Sequence, residues 1–154
     1  MVDIMTLHLG VPIVIGLIIG IVEAYFVYSD EGMASGRDML KDLWHGLTFC
    51  VIGVLVVMNV PFLLSLVNLP GFVETLLFVD ENGISLTMSI LVSIIMYLKM
   101  VASHAVRGVG ARGFKEKAWH KLLIAALVGF APYYIFPILP GIQETLSFLP
   151  TWLL

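Results

Sequence analysis

The stretch Val11-Pro12-Ile13-Val14-Ile15-Gly16-Leu17-Ile18-Ile19-Gly20-Ile21-Val22 contains no charged or hydrogen-bonding side chain. A helix in a water-soluble bundle needs a polar stripe on its solvent side. This one would have none, so lipid is the surrounding it suits. The rest of the chain agrees. Of 154 residues, 60% are hydrophobic and 12% charged, where a soluble domain carries about 25% charged residues. Mean hydropathy is +1.03. Too little polar surface is available to cover a soluble globule, and the composition predicts an all-α integral membrane protein with a single membrane domain over residues 1–154.

The apolar runs predict four transmembrane helices, at about Met5–Tyr28, Leu43–Val67, Ile84–Val106 and Ala118–Leu139. Each is long enough to cross ~30 Å of hydrocarbon. The first is expected to be a span and not a cleaved leader, because Asp3 stands where a signal peptide would be basic. Cys50, the single cysteine, falls inside an apolar run, so an intrachain disulfide and a cysteine-based metal site are both excluded.

Charge sorts by side. Arg37 and Lys41 lie between the first two runs, and Arg107, Arg112, Lys115, Lys117 and Lys121 lie around the connection between the last two. The other connection and both ends carry acids instead. Positive-inside sorting predicts both hairpin loops in the cytoplasm and both termini outside.

The chain also repeats itself. LPGFVETLLF (Leu69–Phe78) returns as LPGIQETLSF (Leu139–Phe148), and Trp44-His45 returns as Trp119-His120. Gly53 and Pro61 match Gly129 and Pro137 within one residue of that offset. Shared apolar composition explains matched Leu and Val but not WH, LPG and ET together. The reading is two helical hairpins as parallel repeats, about 5–80 and 84–154, each closed by a short interfacial LPGxxETLxF segment. Pro-Gly is expected to stop the preceding helix and turn the chain. Pro61, Pro132 and Pro137 are expected to kink theirs.

Two charges fall inside predicted spans. Glu23 precedes Trp44 by 21 residues and Lys99 precedes Trp119 by 20, nearly equivalent places in the repeat. Charges at depth cost several kcal/mol unless they face protein or water, so they are expected to pair with each other; a lysine near the interface can also snorkel. Gly16 and Gly20 form a close-packing surface on the face that bears Glu23. Ser85, Ser89, Ser93 and Ser103 share a face of the third span with Lys99. These faces predict contact between spans one and three. Outside, Glu74, Glu144, Asp80 and Glu81 form an acidic cluster able to gather cations. His45, His104 and His120 approach the cytoplasmic face as interfacial residues, and buried Asn59 as helix–helix glue.

These features predict a small oligomeric membrane channel or ion-conducting protein, cation-permeable, with its pore lined by the serine face and the outer acids of several copies. The alternatives are a non-conducting accessory subunit and a proton-coupled small transporter using Glu23. Expected partners are the lipid bilayer, further copies of the chain and cations. No nucleic acid, cofactor or metal is expected, and no motif of an enzyme is present.

Overall fold

The computed structural model describes residues 7–31, 36–67, 75–80, 82–107 and 117–145. All regular structure among them is helical: α1 (Gly10–Glu31), α2 (Gly36–Met58), α3 (Val60–Ser65), α4 (Leu86–Arg107), α5 (Ala118–Gly129), α6 (Ala131–Ile135) and α7 (Leu139–Thr145). A lone bridge joins Val79 to Ser85. The Gly10–Asp30 part of α1, 21 residues at mean hydropathy 2.2, is long and apolar enough to cross a membrane. The other apolar helical stretches are shorter: Leu43–Met58, Leu86–Ala102 and Ala118–Gly129.

Proline interrupts both second helices. Pro61 has no N–H to give the Val57 carbonyl, so α2 ends at Met58 and the chain turns at Asn59 before α3. Pro132 does the same to α5 at Phe130, and Pro137 lies in the turn that separates α6 from α7. The kinks read from the sequence are therefore full breaks. The second Leu-Pro-Gly departs from its expected role: Leu139, Pro140 and Gly141 open helix α7 and stop nothing. Proline suits a first helical turn, where its missing N–H has no partner to lose. The first Leu-Pro-Gly lies outside the described residues.

The core is built by α2 and α5, each of which packs against both α1 and α4 and against the other. Cys50, Val54, Val57, Met96, Met100, Ile124, Val128 and Ala131 fill it. The expected contact between the first and third helices is corrected here. Among the described residues α1 and α4 form no packed pair. Only four residues separate Glu31 from Gly36, and so short a connection folds consecutive helices onto each other as antiparallel neighbours.

Asn59 turns its break into a joint. Its side-chain oxygen accepts from the His8 N–H at 2.6 Å, and its amide donates to the carbonyls of His8 and Leu55, both at 2.9 Å. The residue is buried. This fixes the entry to α1 on the end of α2 and fulfils the expectation of helix–helix glue. Asn59→Leu removes both hydrogen bonds to the His8 backbone and is expected to cost about 2–4 kcal/mol, read as an earlier unfolding midpoint in a detergent titration.

Candidate functional site

Several polar groups lie inside this structure beside its apolar core, and many large apolar side chains lie outside. His8, Glu23, Asn59, Ser85, Ser89, His120 and Lys121 are buried. Ile13, Val14, Leu17, Ile18 and Ile21 on α1 and Ile90, Leu91, Ile94, Ile95 and Leu98 on α4 are exposed. The face of α1 read from the sequence is the buried one: Pro12, Gly16, Gly20 and Glu23 all point inward. Its partner is α2. A Cβ on Gly16 would stand 2.5 Å from the Val51 Cα, and one on Gly20 would stand 2.8 Å from the Leu47 Cα. The two backbones touch, which only glycine permits.

One turn beyond that contact, Glu23 reaches α2. Its carboxylate, in a residue only 6% exposed, accepts a hydrogen bond from the Cys50 thiol at 3.3 Å. Gly46, one turn from Cys50 on the same face of α2, makes the room, since a Cβ there would sit 2.7 Å from the Glu23 Oε2. From the other side Lys99 places its ammonium 4.0 Å from the centre of the Phe49 ring, a cation–π contact. Glu23 and Lys99 therefore do not pair directly. They meet the same turn of α2, residues 46–50, through different side chains.

The serine face has a different occupant from the one expected. Ser85 caps α4, accepting from the Met88 N–H at 3.2 Å, and its hydroxyl donates to the Leu77 carbonyl. Ser93 donates to the Ser89 carbonyl at 2.8 Å. Against both lies Gly129 of α5, where any Cβ would collide with the Ser93 Oγ and the Ser89 carbonyl. These serines seat a helix within one molecule. Ser89 is left with a buried hydroxyl that has no hydrogen-bond partner among the described residues. The side chain of Ser103 lies outside what the structure describes.

Of the acids expected to form a cluster, Asp80 is tied into a turn: its Oδ1 accepts from the N–H groups of Asn82 at 2.9 Å and Ile84 at 2.8 Å, and Gly83 completes the bend at φ 80°. Glu144 stands exposed on α7. Glu74 and Glu81 lie outside the described residues.

One arrangement escaped the sequence reading. Asp30 ends the inward face of α1, seven residues after Glu23, and its buried carboxylate lies 2.5 Å from the His120 Nδ1. It also accepts from the Lys117 N–H at 3.0 Å, with the Lys117 ammonium at 3.4 Å. The His120 ring stacks on Phe26 at 4.0 Å between centroids, 6° from parallel. The sequence likeness of Trp44-His45 to Trp119-His120 hid this, since His45 is exposed and His120 buried. The available signal was the seven-residue spacing, which puts Glu23 and Asp30 on one side of a helix.

Chemically, this end of the bundle holds two buried carboxylates, a thiol and an imidazole between closely packed helices. Such groups can hold and release protons. Among the described residues no cluster of three or more His, Cys, Asp or Glu side chains could hold a metal ion. Neither a protein family, nor a curated protein, nor a solved structure matches this chain, so the residues themselves carry its assignment.

Proposed function

We propose that the chain is a four-span integral membrane protein that moves protons across the bilayer, with Glu23 as the group that takes up and releases them. The spans are α1, α2 with α3, α4, and α5 continued through α6 and α7, their hairpin loops on the cytoplasmic side. The observation that carries the reading is the buried carboxylate of Glu23, whose hydrogen-bond partner among the described residues is the thiol of Cys50, in a helix with an apolar outer face. Ionisable groups at membrane depth are costly, and those that persist mark ion and proton pathways. A proton needs no open pore, only donors and acceptors in sequence. That suits helices whose glycines leave no room for a hydrated ion.

A wider cation channel fits less well, since the serine face meant to line it is occupied by Gly129 of α5. The same close packing favours one second reading, a non-conducting accessory subunit. Reconstitution separates them. Vesicles holding the purified protein and an internal pH dye are expected to collapse an imposed pH gradient at least about tenfold faster than protein-free vesicles, while holding Na⁺ and K⁺ gradients. A pH gradient held as long as in empty vesicles supports the accessory subunit. Rapid Na⁺ or K⁺ loss restores the channel.

A further inference from the structure

Glu23, Phe26 and Asp30 stand at i, i+3 and i+7 on α1 and so share one side of it. His120 meets α1 at Phe26 and Asp30, and therefore lies alongside the stretch that separates its two inward carboxylates. The Lys117 N–H donates to Asp30 and the Lys117 ammonium forms an ion pair with it, which holds that carboxylate as an acceptor. The hydrogen of the neutral imidazole is then on Nδ1, and Nε2 carries a free lone pair. Phe26 on one ring face and Trp119, edge-on at 3.8 Å and 62°, keep the imidazole from turning. No other partner engages the His120 ring among the described residues. The other carboxylate, thiol, imidazole and ammonium groups described on the helices around it are Glu23 on α1, His45 and Cys50 on α2, Lys99 on α4, and Lys117 and Lys121 at the start of α5. None of them bonds the ring.

We propose that Asp30 and His120 form the loop-side proton station of this protein. Nε2 of His120 takes up a proton and gives it up again at the same atom, returning to the neutral imidazole, so that the pair exchanges protons between the loop side and Glu23 without a turn of the ring. Asp30 is a positioning residue that fixes the tautomer and steadies the imidazolium while it exists. A carboxylate that orients a histidine through Nδ1 and leaves Nε2 to work is a general device of proton transfer. The inference rests on the reading of Glu23 as the proton carrier.

The test is chemical rescue. His120→Ala in vesicles is expected to lower proton flux at least about tenfold. Imidazole added to the medium should restore at least half of it, and pyrazole, the same size but a far weaker base, should not. Rescue by both or by neither means the ring only fills space, and overturns the proposal. A second measurement needs no variant: ¹⁵N magnetic resonance of wild-type His120 should show a protonated Nδ1 and a bare Nε2, and the opposite tautomer overturns the proposal. The two readings fail separately. If Glu23→Gln conducts like wild type, the role of Glu23 falls. If Glu23→Gln is inactive while His120→Ala conducts like wild type, Asp30 and His120 are a structural clasp and this proposal alone falls.

Discussion

Replacing Glu23 by glutamine is expected to reduce proton flux at least about tenfold while leaving the fold intact or more stable. The amide keeps the length and shape of the carboxyl group, so it occupies the same space over Gly46. It cannot bind and release a proton near neutral pH, so transport stops. Its stability effect has the opposite sign from most core substitutions, because burying a neutral amide beside the Cys50 thiol costs less than burying a carboxylate there. Glu23→Asp should fall between the two: the acid is retained but drawn back from α2 by one methylene. Vesicle flux and detergent-induced unfolding, measured on the same three preparations, check both halves. A Glu23→Gln protein that is inactive because it is unfolded would show an early unfolding midpoint, which the burial argument excludes.

The second large effect concerns assembly. Gly16→Val is expected to cost about 3 kcal/mol or more and to abolish flux along with stability. The new Cβ would sit 2.5 Å from the Val51 Cα and 2.9 Å from its backbone nitrogen. Those atoms belong to a helix, not to a side chain that can swing aside, so α1 and α2 must separate. Separation also lifts Glu23 off the turn at Gly46 and Cys50. Gly20→Val is expected to act in the same direction, against Leu47. Gly141→Ala is the control: beyond its own helix, a Cβ placed there meets nothing within 4 Å among the described residues, so flux should not change and stability should hold or rise slightly.

Much of this arrangement can be read from residues alone. The inward face of α1 follows from helical period, because small residues and a charge recur every three or four positions from Pro12 to Glu23. The broken second helices follow from proline's missing donor. What periodicity does not give is the identity of the helix each face meets. A glycine face and a serine face are complementary to each other, but the glycines met the backbone of α2 and the serines met Gly129 of α5. Both choices obey the closest-approach rule, and a short connection favours sequence neighbours. Glu23 and Lys99 each meet α2 instead, at Cys50 and at Phe49. The Leu-Pro-Gly motif misled because the same residues suit a helix start and a helix stop, and only the preceding turn at 136–138 decides which. Asp30 and His120 are 90 residues apart, joined by the packing of α1 on α5, which no local pattern announces.

The most direct test of Glu23 as the proton carrier is infrared difference spectroscopy on reconstituted protein carrying ¹³C-labelled glutamate. A carbonyl band of a protonated carboxylic acid, shifted by the label and missing in Glu23→Gln, should grow and shrink as the pH is stepped through the range where flux is observed. A Glu23 band that stays unchanged while protons cross the bilayer would contradict the account.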